Sequence, residues 1–458
     1  MDNSHTVICG RDLARARPLI ALLAVLALTG IHSGPGAIAG KSKTAAPVAV
    51  LQTTPIPMLA GTHQVIANNQ FEEIDSSIDC SFVAYTEWDF ELEQHIRYFT
   101  FATSTLDTIP GNNHAFADVF GGRIAFNEAT FSGTRLHIFD IASQTSTTVP
   151  RLGVVRPAIG ENLVAFEDYS ASTGGGIPFP GEITVFNLLS GAFTQLTNDA
   201  LFDRNPSISS TGNVVTWEKC ETSTTGCDIF AAVQTAPGIF NTTAITGASG
   251  EDLFPVTNGE IVAYASTRDG ETDVYFQPAS GDVETRVAVP GRETSLNIAG
   301  EWLVFRSFVS PEQADIFLYN IKTANLYQVT NTPASEVLPD IAICGEVGRI
   351  TYSVPAPGTG FDVWVFTFQV PSPTVDQIED LIALVQSFGL PEGLQNSLII
   401  KLQDALAAIA DSDAATACEY LTAFINECAA QSGKKLAADQ SSQLANAANA
   451  IKSALGCQ

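Results

Sequence analysis

A chain of 458 residues with 22 Lys+Arg against 49 Asp+Glu carries a net charge of −27. Phosphate binding needs a basic footprint, so this balance excludes nucleic acid as a partner and reads as a solvated acidic surface. Only 16% of residues are charged, while Thr, Ser, Ala and Gly are plentiful, which suits an all-β extracytoplasmic protein better than a cytosolic enzyme.

Residues 1–39 read as an export signal. Arg11, Arg15 and Arg17 form a positive head, Pro18 to Leu28 an apolar core, and Ala37-Ile38-Ala39 a small-x-small cleavage pattern. A membrane anchor is the competing reading, but the run is short of the ~20 apolar residues a spanning helix needs, and Gly30, Gly34, Pro35 and Gly36 interrupt it. With the signal cleaved, no segment is expected to cross a membrane, and the expected location is secreted, periplasmic or cell-surface. Residues 40–61 carry Pro, Ala and Thr without a period and read as a linker.

From residue 62 to 370 one pattern recurs. Its clearest copy is Gly259 to Phe276, where apolar Ile261, Ala263 and Tyr264 lead into the turn Arg268-Asp269-Gly270 and Asp273-Val274-Tyr275-Phe276 starts a second run, a hairpin of two half-buried strands. An aromatic closes the corresponding strand at Tyr85, Phe126, Phe166, Trp217, Tyr264, Phe305 and Tyr352, at intervals of 41, 40, 51, 47, 41 and 47 residues. A period of this length without a helical pattern predicts a β-propeller, one four-stranded blade per repeat. The seventh unit runs into Pro371-Ser372-Pro373 with no fourth strand, while His63-Gln64-Val65-Ile66 precedes the first unit as a fourth strand without a blade. Seven blades closed by an N-terminal strand at Thr62 to Asn69 account for every segment; six blades plus a stray unit is the alternative. Pro206, Pro255 and Pro339 fall in predicted first strands, which requires a strand start or a bulge near the channel.

Ser266-Thr267-Arg268-Asp269-Gly270 with Asp273-Val274-Tyr275 resembles the repeat of TolB-type (WD-like) propellers, closely in the fifth unit and weakly in the first three. The resemblance implies an exported binding scaffold, in some members joined to a hydrolase domain. Residues 371–458 change to a helical period, with Leu398, Leu402 and Ala405 on one face, Leu421, Phe424 and Cys428 on another, and Leu444, Ala448 and Ile451 on a third. Four helices in a small bundle are expected. The segments around Asn396-Ser397-Leu398, Ala423-Phe424-Ile425-Asn426 and Gly433-Lys434-Lys435-Leu436 resemble the FIMAH domain of exported bacterial proteins, which implies an accessory module without catalytic residues.

Seven cysteines follow the signal. Cys220 and Cys227 flank one hairpin turn, and Cys80 and Cys344 precede the second strands of units one and seven, neighbours once a ring closes. Cys418 and Cys457 fit opposite ends of antiparallel helices better than Cys428 and Cys457, leaving Cys428 as a buried thiol; zinc is disfavoured because no His stands near at ligand spacing.

Catalytic signals are sparse. His63, His95, His114 and His137 all fall in the first two units and read as surface positions, and no Gly-x-Ser-x-Gly elbow with its Asp and His is present. No catalytic residue and no cofactor are assigned; Asp269 and Asp273 are weak candidates for Ca²⁺, though an oxygen cage wants ~6 or more ligands and this loop offers few. The favoured expectation is a non-enzymatic scaffold whose channel mouth or rim binds a protein, peptide or glycan. An enzyme acting on polysaccharide or peptide at the channel is the alternative, requiring convergent carboxylates, His or metal ligands there, and a surface-layer component is a third reading.

Overall fold

The computed structural model describes residues 56–457, apart from 70, 90, 92, 171–179, 248, 282, 288, 290, 311–312, 357–359, 372 and 411–412. The signal, most of the linker, and Asp411 and Ser412 therefore lie outside the described residues. The chain divides into two units, Met1–Phe368 and Gln369–Gln458.

The first unit is a seven-bladed β-propeller, each blade a four-stranded antiparallel sheet. The innermost strands are Glu72–Ile78, His114–Phe120, Val154–Ile159, Phe202–Ile208, Asp252–Thr257, Glu293–Ala299 and Val337–Cys344. Second strands are covered on both faces, which is why they read as short apolar runs; Leu163-Val164-Ala165-Phe166 is buried throughout. The seven closing aromatics are at most 2% exposed. The core lies between blades: Tyr85 packs with Val365 across the joint of the last and first blades, and Phe126 with Ala84 across the next.

The ring closes as the strand count predicted. Gly61–Ala67 lies antiparallel to Gly360–Gln369, with Gly61 opposite Phe368 and His63 opposite Phe366, and supplies the outer strand of the seventh blade. Before it, Leu59 N–H donates to Gln328 O and Gln328 N–H to Pro57 O, so the entering chain also lines the edge of the sixth blade. A disulfide between Cys80 and Cys344 (Cα–Cα 5.6 Å) joins the first and last blades a second time. On the chain-entropy account, closing a loop with a sequence separation of 264 contributes about 5–6 kcal/mol. Replacing both cysteines by serine should lower the melting temperature by on the order of 5–8 °C in non-reducing calorimetry; an unchanged melt would show that strand pairing alone holds the ring. Cys220 and Cys227 are paired across their hairpin, directly opposite in register.

The Arg268-Asp269-Gly270 turn explains its own sequence. Gly270 sits at φ +108°, a region closed to side chains, and Arg268 folds back to bond Glu284 at 2.7 Å and Asp252 at 2.9 Å while its guanidinium lies 4.7 Å over the Tyr275 ring. The turn thus ties three strands of its blade together.

The second unit holds four helices, α1 (Pro373–Ser387), α2 (Glu392–Ala410), α3 (Ala414–Gln431) and α4 (Ala438–Ala454). Leu381, Leu402, Leu421, Phe424, Leu444 and Ile451 share its core. Asp413 caps α3, its carboxylate accepting the Thr416 N–H at 3.0 Å. Cys418 and Cys457 are bonded, and Cys428 is a buried free thiol.

Candidate functional site at the channel

Every innermost strand carries the same irregularity. Its register shifts by a bulge, between Ile74 and Ser77 in the first blade and between Val337 and Asp340 in the last, and inside each bulge one residue that is not glycine takes a left-handed backbone. These are Asp75, Phe116, Arg156, Asn205, Phe254, Ser295 and Leu338, with φ between 48° and 62°. Such a conformation is uncommon for residues other than glycine and costs of order 1 kcal/mol or more each, so it persists only where surrounding contacts impose it. The expectation that prolines of the first strands sit at a bulge holds: Pro206, Pro255 and Pro339 each follow the left-handed residue, where no ladder bond needs an N–H.

Side chains from the neighbouring blade impose it. Asn127 accepts the Arg156 N–H at 2.8 Å, Glu167 the Asn205 N–H at 2.8 Å, and Glu218 the Phe254 N–H at 2.7 Å. The three acceptors occupy one position, directly after the closing aromatic of the second strand. The second, third and fourth blades thereby hold the bulges of the third, fourth and fifth, and the seven left-handed residues, all half-buried, form a ring around the channel.

Two residues further on, the seventh and second blades carry Asp340 and Asp118, with Ser77 between them in the first. Ser77 Oγ donates to Asp118 Oδ1 at 2.7 Å and accepts the Val119 N–H at 3.2 Å. Asp118 Oδ2 takes the Ile159 N–H at 2.7 Å, and Asp340 takes the N–H groups of Ile78 and Ile341 at 2.8 and 2.7 Å. One hydrogen-bonded run therefore crosses from the seventh blade through the first and second to the third. Burial pushes Asp118 up to about 6, against its three hydrogen bonds and helped by the charge of Asp75. Asp340 is pushed up to about 7, again by burial first and then by the charge of Asp118 among its further causes. Asp75 is raised by burial too, opposed by Arg156. Carboxyl groups tuned to near neutrality can both give and take a proton, and charged ones can hold a cation.

Arg156, on the third blade's innermost strand, adds a positive charge beside this run. It bonds Asn205, lies 3.8 Å from Glu167 and stacks 5.6 Å from the Phe116 ring centroid.

The residues picked from sequence stand elsewhere. Asp269 accepts the Tyr275 hydroxyl and Asp273 the Arg286 guanidinium, at 2.7 Å, so one oxygen of each carboxylate in the turn proposed for Ca²⁺ is already engaged. Of the histidines, His63 is exposed and bonds Tyr352 at 2.7 Å, and His137 bonds Glu128 at 3.0 Å. His114 departs from the expected surface placement: it is 4% exposed, against Phe126, at the strand position that holds buried Glu73, Asp203, Asp252 and Glu293 in other blades. The sequence reading singled out none of Asp75, Asp118 and Asp340. An acid on the channel strand was the available signal.

No family model matches the chain, and no curated protein shows significant similarity to it. Solved structures share its fold. The β-propeller domain of the Trilobed protease from Pyrococcus furiosus, which has an open velcro topology, is similar at TM-score 0.50 and 10% identity over 66% of this chain and 96% of that one. A puromycin-hydrolysing peptidase of Mycobacterium tuberculosis is similar at TM-score 0.51 and 12% identity, over 70% of this chain and 58% of that one. This chain thus spans little more than half of that enzyme. Oligogalacturonate lyase in complex with manganese is similar at TM-score 0.53 and 10% identity, over 72% of this chain and 99% of that one. TolB from Acinetobacter baumannii also matches, at 16% identity and TM-score 0.39. At these identities the likeness is one of fold. It corrects the expectation of a non-enzymatic scaffold, since the similar propellers belong mostly to peptidases and to a lyase.

Proposed function

We propose that the chain is an extracytoplasmic enzyme-type propeller that acts on a peptide or polysaccharide at its channel, with Asp118 and Asp340 as the proton-exchanging pair. The observation that carries this reading is the meeting of three carboxyl groups from the seventh, first and second blades, two of them raised to about 6 and about 7 by burial. An acid or base is most effective when it titrates near the working pH, and enzymes reach this by burial and like charge. Three disulfides and a seven-bladed fold shared with peptidase and lyase propellers support the setting. No helix among the described residues is long and apolar enough to cross a membrane. The export signal and the FIMAH-like helical module belong to the same proposal, the latter as an accessory domain.

The test is turnover of oligopeptide and oligosaccharide panels between pH 5 and 8. Asp118→Asn and Asp340→Asn should each lower kcat by about 100-fold or more while the melting temperature stays close to the parent's. Absence of turnover on both panels, or full activity in both variants, would overturn the reading.

A further inference from the structure

Outside the channel, the hairpin joining the second and third strands of the first blade brings Asp89, Glu93 and His95 together, with a ligating atom of each within 4.8 Å of the others, all partly buried. His95 makes this more than a charged turn. Its Nδ1 lies 3.0 Å from the carbonyl oxygen of Gly111, an acceptor with no proton to give, so Nδ1 carries the hydrogen. In the neutral ring Nε2 then presents a lone pair, and it faces Asp89 Oδ2, another acceptor, at 3.4 Å. A proton on Nε2 would make this contact an ion pair, and a metal ion would take the same place between nitrogen and oxygen. The spacing suits one: two ligands bound tetrahedrally at about 2.0–2.2 Å stand about 3.4 Å apart.

The surrounding contacts are those of a held ligand set. A backbone carbonyl on the far nitrogen is the usual device that orients a metal-binding imidazole. Asp89 Oδ1 accepts the N–H groups of Glu91 and Glu93, both at 2.9 Å, leaving Oδ2 to face His95. The Glu93 carboxylate has no hydrogen-bond partner among the described residues. The other grouping of this kind among the described residues, Glu218 with Cys220 and Cys227, is not available, because its two sulfurs are joined to each other.

We infer that Asp89, Glu93 and His95 bind a late first-row divalent cation, Zn²⁺ foremost, leaving coordination open to water. One nitrogen and two carboxylate donors suit such an ion, whereas Ca²⁺ asks for ~6–8 oxygens. The hairpin opens on the face where the innermost strands begin, since Trp88 pairs with both Glu72 and Gln94. This site stands independently of the reading of the channel.

Titration calorimetry of the purified chain, stripped with EDTA and dialysed, tests it with ZnCl2 and CaCl2. One equivalent of Zn²⁺ is expected, with no comparable Ca²⁺ uptake, and Co²⁺ should give the visible absorption of a tetrahedral site. Affinity should fall at least ~10-fold in His95→Ala and in Glu93→Gln, with both metal-free variants melting like the metal-free parent. No stoichiometric Zn²⁺ uptake by the parent, or parental affinity in both variants, would overturn the assignment.

Discussion

Deletion of residues 61–67 is expected to lower the melting temperature by more than about 10 °C or to drive the protein into aggregates. The strand Gly61–Ala67 is paired with Gly360–Gln369 over six register positions. Its removal strips Val363, Val365, Phe366 and Phe368, each at most 2% exposed, of their neighbours Ile66 and Ala67 or of the strand itself. The bond of His63 to Tyr352 goes with it. What remains is a long apolar strand with a free row of N–H and C=O groups, which other chains can pair with. Thermal melts and size-exclusion chromatography of the deletion variant read both consequences, and a monomer melting like the parent would sink the closure argument. A gentler probe is Gly61→Val, because even a methyl group there would meet the Phe366 ring at 2.4 Å.

Acidification from pH 8 to pH 5 is expected to raise the melting temperature by several degrees. Five buried acids are raised above their ordinary values: Glu293 to about 9, Asp340 and Glu73 to about 7, and Asp118 and Asp203 to about 6, in every case by burial first. In the unfolded chain they titrate near ~4. Between that value and the folded one the native state holds protons that the unfolded state has released, so stability declines as pH rises through this window. His114 acts in the opposite sense: burial lowers it to about 4, and the native state loses stability as pH falls toward that value. His114 and His63, both lowered by burial, stand against the five carboxyls, and at higher pH the net charge of −27 adds self-repulsion. Glu293 supplies an internal control. Glu293 Oε2 and Asp273 Oδ2 both lack a partner, and a single proton between the two carboxyls would satisfy both. Glu293→Gln, which keeps the neutral shape, should therefore flatten the decline between pH 7 and 9. Melts at constant ionic strength decide the matter, and a parent whose stability rises steadily from pH 5 to 8 contradicts it.

The repeat was legible because each blade spends one large aromatic on its joint with a neighbour, so Tyr85, Phe126 and their counterparts mark the period directly. Closure was legible from strand count, and the Cys80–Cys344 bond from the circular order of the units. The channel ring was not. Asp75 and Asp340 are far apart in the chain and share a site only after closure, and nothing in Asp, Phe, Arg or Leu announces a left-handed backbone. At Arg156, Asn205 and Phe254 it is held by Asn127, Glu167 and Glu218 of the preceding blades, a tertiary cause invisible to a local reading. Likewise Asp269 and Asp273 look like free oxygens in sequence, and only Tyr275 and Arg286 in place show how they are used.

The pairing of Gly61–Ala67 with Gly360–Gln369 also orders events in time. The first strand to leave a ribosome or a translocon is completed by the last, so six blades can assemble side by side while the seventh waits. Loop closure over such a span is entropically slow, and contacts of this kind lengthen folding by orders of magnitude relative to local pairings. The bonds of residues 57–59 to the edge at Gln328 span almost as much chain, so they too wait for the late blades.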